Sequence, residues 1–359
     1  MIPMFKPYLY EESKSMAIEA IETGYIAHGP NIEKFEKEFA EYCTRSYGTT
    51  CSNGTVALYI AIKALELPKG SEVIIPSMTI MSCLTAILEN DLVPVYCDID
   101  PISFNADFDS LESKVTTNTS AILLINTYGL VVDTDKLKLF RSKYPNIKVI
   151  EDASEAHGAY HKNNIAGSLG DVSTFSFFTN KIVTTGEGGI VLTNDPEIDA
   201  RLKLLRNLCF TDRAKYIHSD AGFNFRMTNI QCAIGRGQLM NIDETIKHRK
   251  RVAYSYNTLL GSNKHIQLPF ENEDYKNVYW YYSILVNKNY NEVLSALKNN
   301  GIEYRHFFYP LHKQPFINST ETIKNSENCF EKGILLPIFN ELSAHEIAFI
   351  SKTILEELE

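Results

Sequence analysis

The chain has 359 residues, 44% of them apolar and 22% charged, with a net charge of −9. That is the balance of a globular enzyme with room for one large domain and a smaller one. The acidic excess gives no footing for nucleic acid or an anionic membrane surface, and no run approaches the length of a membrane span. An anionic small substrate is not excluded, because a site can be locally basic.

In chain order, the start "MIPMFKPYLYEESK" lacks the apolar core of a signal peptide. The first clear helix is "NIEKFEKEFAEY", where Ile32, Phe35, Phe39 and Tyr42 share a face. "SNGTVALYIAIKALEL" is apolar almost all round, which suggests a buried helix capped by a hydroxyl near Ser52–Thr55. Short apolar runs then alternate with helix-length segments. "EVIIP" (72–76), "VPVYCDI" (93–99), "AILLIN" (121–126), "KVIED" (148–152), "STFSF" (173–177) and "GIVLTN" (189–194) read as strands. The first four predict βαβ units and a mostly parallel sheet covered on both faces, and the last two are close enough for an antiparallel pair. From about Met240 shorter elements take over, beginning with "IDETIKHRKRVAYSYNTLL". The expected architecture is an α/β domain over 1–239 and a smaller α+β domain over 240–359. The seven cysteines are scattered without a CxxC, which points to a reducing cytoplasm rather than to disulfides or a zinc site.

Four segments fall where a doubly wound sheet presents ligands, at strand ends and helix starts. "SNGT" (52–55) offers free N–H groups and hydroxyls to a phosphate, although an ordinary capped turn has the same composition. "VIEDASEAHG" (149–158) brings Glu151 and Asp152 to a strand end, where Asp152 either meets a cation or caps the next helix. "FSFFTNKIVTTGEGG" (175–189) carries Lys181 out of an apolar run into glycines. A surface turn explains this as readily as a nucleophilic amine does. "GFNFRMTNIQCAIG" (222–235) offers Asn224 and Arg226 ahead of a helix, to a phosphate or carboxylate or to a structural salt bridge. Together these suit pyridoxal phosphate (PLP), which needs a lysine, a carboxylate at its ring nitrogen and a phosphate seat. A nicotinamide site is disfavoured because "GEGG" leads into a strand and no G-x-G-x-x-G is present.

These motifs, with "GYIAHGPNIEKFEKEFA" and "FFYPLHKQP", make the chain resemble the DegT/DnrJ/EryC1/StrS sugar aminotransferases of PLP fold type I, nearest their GDP-perosamine synthase branch. The resemblance implies that Lys181 forms the internal aldimine and that Asp152 pairs with the pyridine nitrogen. Glu155 would then lie near the ring 3-hydroxyl, with Gly54, Thr55 and Ser176 on the phosphate. Asn224 would reach the phosphate from the neighbouring subunit of a homodimer. Tyr25, His28, Arg226 and His312 are candidate substrate contacts. Ile80 stands where the family usually stacks an aromatic ring on the cofactor, a loss of about 1 kcal/mol. The implied reaction moves an amino group from L-glutamate, through pyridoxamine phosphate, to a nucleotide-linked 4-keto-6-deoxy sugar for polysaccharide assembly. A small phosphorylated ketone such as dihydroxyacetone phosphate is the alternative acceptor, and a PLP-binding regulator without turnover is the alternative of another class.

Overall fold

The computed structural model describes residues 1–210 and 216–359. Its strands are β1 (Tyr47–Cys51), β2 (Glu72–Pro76), β3 (Val93–Cys97), β4 (Thr119–Ile125), β5 (Lys148–Asp152), β6 (Tyr160–His161) and β7 (Asn164–Ile165). They continue with β8 (Val172–Ser176), β9 (Gly189–Thr193), β10 (Ile266–Gln267), β11 (Tyr275–Lys276), β12 (Tyr282–Val286), β13 (Arg305–His306) and β14 (Gly333–Leu336). The main sheet has seven strands in the order β1-β9-β8-β5-β4-β2-β3. β2, β3, β4, β5 and β8 pair in parallel, whereas β9 runs antiparallel to both β8 and β1.

Strand alternation explains the apolar runs. Val73, Ile75, Leu123 and Ile150 enter one helix-covered layer, while Ile74, Ile122, Leu124 and Val149 enter the other. The helix α1 (Glu11–Glu22) precedes α2 (Pro30–Tyr42), which buries Phe35 and Phe39 as its period demands. These rings meet Phe175 and Phe177 from β8 and the turn after it. Helix α3 (Gly54–Ala64) packs on β8 and β9 and against α4 (Met81–Leu88), which accounts for its all-round apolarity. Its cap is the Asn53 side chain, which accepts from the Val56 N–H at 2.9 Å, rather than a hydroxyl.

A second sheet, β10-β12-β14-β13, is antiparallel throughout. The long helix Ile242–Leu260 and the helix Ala344–Glu356 contribute Val252, Tyr256, Ile350 and Ile354 to the cluster around it. Ile2 and Met4 join that cluster, and the Ile2 N–H donates to the Gly301 carbonyl. The proposed division near residue 240 therefore leaves the first few residues on the second sheet's side. No helix among the described residues is long and apolar enough to cross a membrane.

Candidate active site

A cavity of about 570 Å³ opens at the carboxyl ends of β2, β5 and β8 and the start of α3, closed from the second sheet's side by Trp280, Arg305 and Phe308. It brings together Gly54, Thr55, Ile80, Asp152, Glu155, Ser176 and Lys181 from the sequence-predicted set.

Asp152 ends β5 with 3% of its surface exposed. Its Oδ1 accepts from the Ser154 N–H at 3.0 Å, and Oδ2 receives the Cys83 thiol at 3.3 Å. A thiol is a weak donor, so this carboxylate is left short of partners on the side facing the cavity. Glu155 is also buried and accepts from the Tyr128 N–H at 2.8 Å. The chain passes through the left-handed region at Tyr128, φ 53°, in the turn that presents this N–H. Burial pushes the Glu155 carboxyl up, and the Lys181 charge opposes that rise. Lys181 is partly buried, and desolvation pulls its amine below the usual lysine value, against the raising influence of Glu155 and Asp152. An amine held down in this way is better suited to nucleophilic work than a solvated one.

At the opposite wall, Gly54 and Thr55 open α3, where the first N–H groups have no partners within the helix. The Thr55 and Ser82 hydroxyls lie 2.7 Å apart, and the Ser176 hydroxyl accepts from the Phe178 N–H at 3.3 Å. A Cβ on Gly54 would stand 2.6 Å from the Ser176 Cβ, so only glycine allows helix start and strand end to approach this closely. Hydroxyls and a helix start at one wall, an under-partnered carboxylate at the sheet and a desolvated lysine between them fit the phosphate, ring nitrogen and aldehyde of PLP. Ile80 stands at the mouth, 41% exposed, free to lie over a ring.

The remaining predicted residues lie elsewhere. His312 is fully buried. Its Nδ1 lies 2.6 Å from the Ser77 Oγ and its Nε2 3.0 Å from Glu327 Oε1, so it ties the turn after β2 to the helix Lys324–Lys332 and does not line the cavity. The expected substrate contact at His312 therefore has no place in the lining of this cavity. Arg226 donates to Asn207 Oδ1 at 2.7 Å and does not line the cavity. Tyr25, His28 and Asn224 are exposed and also lie outside its lining. The Tyr25 loop is anchored by Asn229, whose Nδ2 donates to the Tyr25 carbonyl at 2.6 Å. Sequence reasoning missed Ser82, Asn180, Trp280, Arg305 and Phe308. Signals existed for some of them: Trp280 is the only tryptophan, Asn180 adjoins Lys181, and Arg305 lies just before "FFYP".

His157 sits behind the site, fully buried against Phe39, Phe175 and Phe177. Desolvation lowers its pKa to about 3. Between that value and the ordinary one near 6.5, the unfolded chain binds a proton that the folded chain refuses, so stability falls as pH falls. Denaturant titrations at pH 7, 6 and 5 are expected to show His157→Phe losing up to about 1.4 kcal/mol less per pH unit than the unaltered protein below pH 6. Equal slopes would contradict this account of His157.

Residues 7–355 match the DegT/DnrJ/EryC1/StrS aminotransferase family. The chain is 37% identical to a GDP-perosamine synthase of Caulobacter vibrioides, covering 96% of this chain and 95% of the relative. It is 36% identical to a GDP-perosamine synthase of Escherichia coli O157:H7, covering 99% and 98%. Among solved structures, DesV of S. venezuelae in complex with a ketimine intermediate is similar with a TM-score of 0.92 and 28% identity, covering 100% of this chain and 98% of that one. The chain belongs to the DegT/DnrJ/EryC1/StrS aminotransferase family.

Proposed function

We infer that the protein is a PLP-dependent sugar aminotransferase that moves the amino group of L-glutamate to the keto group of a nucleotide-linked 4-keto-6-deoxyhexose, with GDP-4-keto-6-deoxymannose the favoured acceptor. One observation carries this: Lys181, the buried Asp152 and the start of α3 converge on a single cavity. The names of the relatives at 36–37% identity supply the choice of sugar nucleotide.

PLP, when bound, carries the amino group covalently and draws electrons from the substrate carbon that loses its proton. The rest of the work falls to the chain. Gly54, Thr55, Ser82 and Ser176, which line one wall of the cavity, would hold the phosphate end, and Ile80 would cover the ring face. Asp152 would keep a positive charge at the ring nitrogen, and Glu155 would lie near the ring edge. Lys181 would anchor the cofactor through Nζ, and as a free amine that same atom would take up and return the proton. Arg305 and Lys181 are the cationic side chains lining the cavity, which suits an anionic acceptor.

Pyridoxal-form protein treated with L-glutamate is expected to lose its visible band, and GDP-4-keto-6-deoxymannose is expected to restore it. Loss without return would retain the donor half and discard this sugar, leaving other keto sugars and small phosphorylated ketones. Ile80 gives the latter their standing, because an aliphatic residue in place of an aromatic one reshapes the ring-facing wall. No response to glutamate would contradict the donor.

The exposed Asn224, Tyr25 and His28 complete the site of a second copy in a homodimer. If so, mixing inactive Lys181→Ala and Asn224→Ala proteins under conditions of subunit exchange should restore up to about a quarter of native activity. That fraction follows from statistical pairing, in which half of the dimers are mixed and each of these holds one intact site. Mixtures no more active than their parents would rule the shared site out.

A further inference from the structure

The turn that carries Lys181 is clamped by the segment leading into β12. Trp280, 4% exposed, presents its indole face to the lysine, with Nζ 3.6 Å from the ring centroid. The ring is not free to swing. Its Nε1–H donates to the Asn180 carbonyl at 3.0 Å, one residue before the lysine. Asn180 Nδ2 in turn donates to the Tyr281 hydroxyl at 3.0 Å, and the buried Arg249 donates through Nη1 to the Trp280 carbonyl at 2.8 Å. Lysine and indole are therefore tied together through the backbones that carry them.

This arrangement answers a difficulty in the proposed chemistry. An amine freed inside the cavity faces Asp152 and Glu155, and an ion pair with either would draw it away from where it is next needed. An aromatic face attracts an ammonium without offering it a proton acceptor. We propose that Trp280 is a positioning residue for Lys181, whose indole face takes up the ε-ammonium whenever that amine is not covalently engaged and holds it in place for the next proton transfer. The proposal rests on Lys181 being the cofactor lysine. Asp152, Glu155, Cys83, Arg249 and the buried His157 are other ionisable groups that interact with this amine, and none of them is altered by a change to the indole alone.

Because Trp280 is the chain's only tryptophan, growth on fluorinated tryptophans alters this ring and no other, with little change of shape. Fluorine drains the negative face of the ring. Competitive acetylation of the cofactor-free full chain across pH, read by peptide mass spectrometry, then reports the protonation of Lys181. With increasing fluorination the Lys181 profile is expected to move down by about one pH unit, equivalent to about tenfold faster labelling at a fixed pH on its rising limb. Trp280→Phe, which keeps an aromatic face, should move the profile less than Trp280→Leu. A profile unchanged by fluorination overturns the proposal, even if the leucine variant fails to fold. Borohydride reduction of the same protein with PLP checks the underlying reading separately. Without an adduct on Lys181 the role in turnover falls, whatever the labelling shows.

Discussion

Lys181→Ala protein is expected to fold, to retain no reducible covalent link to PLP and to transaminate at least about 10³-fold more slowly than the unaltered chain. Folding should survive because the side chain is only partly buried and its neighbours Trp280 and Asn180 keep their own hydrogen bonds. The lysine charge opposes the upward push that burial gives Glu155, so without it that carboxyl should rise further. Single-turnover rates with glutamate measure the loss of transamination, and borohydride trapping measures the loss of the covalent link, independently of each other. A variant that transaminates at the native rate would remove Lys181 from the chemistry.

Asp152→Asn is the second large effect. The replacement is isosteric, and its amide oxygen can still accept from the Ser154 N–H as Oδ1 does at 3.0 Å. Little stability should be lost, because the buried acid has few partners: one N–H and one thiol. What is lost on the proposed reading is the negative charge that would keep the ring nitrogen of bound PLP protonated. Removing fixed charge from a site of this kind costs about 10²–10³ in rate. The kcat of each half-reaction at saturating PLP is therefore expected to fall by that factor while the thermal midpoint stays near the native one. A kcat within about threefold of native would show that Asp152 caps its turn and does no more.

Much of this was written in the pattern of the chain, and the failures have physical reasons. Strands β2 and β5 lie on the residues their short apolar runs marked, because the middle of a strand covered on both faces is apolar even where its ends carry acids. Strand β1, "YGTTC", was silent. It is polar and contains a glycine whose Cβ would meet the Glu36 carbonyl at 2.7 Å, so its identity depends on pairing with β9. Helix α1 was silent for a related reason. It packs through small residues, Ser13 and Ala20, against the helix Asn229–Met240, where a Cβ on Gly237 would stand 2.3 Å from the Ser13 nitrogen. Close packing of this sort leaves no apolar period to read.

The site divides along the same line. Lys181, Asp152, Gly54 and Ser176 sit at or just beyond strand ends and a helix start, where local sequence announces position while a plain turn or cap could share the same composition. The burial of His312 was not legible because a motif fixes a residue's identity but not its surroundings, and the Ser77 and Glu327 contacts come from distant segments. Trp280 and Arg305 were missed because the second sheet's side brings them to the cavity, a long-range placement that no local pattern encodes.

The most direct measurement is the fate of nitrogen. The PLP-loaded protein would be incubated with ¹⁵N-labelled L-glutamate and GDP-4-keto-6-deoxymannose, and the sugar nucleotide weighed by mass spectrometry. Appearance of a ¹⁵N-amino sugar nucleotide with matching release of 2-oxoglutarate, abolished in Lys181→Ala, is the expected result. Glutamate left intact and a sugar nucleotide without label, from protein that binds PLP at Lys181, would contradict the proposed transfer from glutamate to this sugar nucleotide.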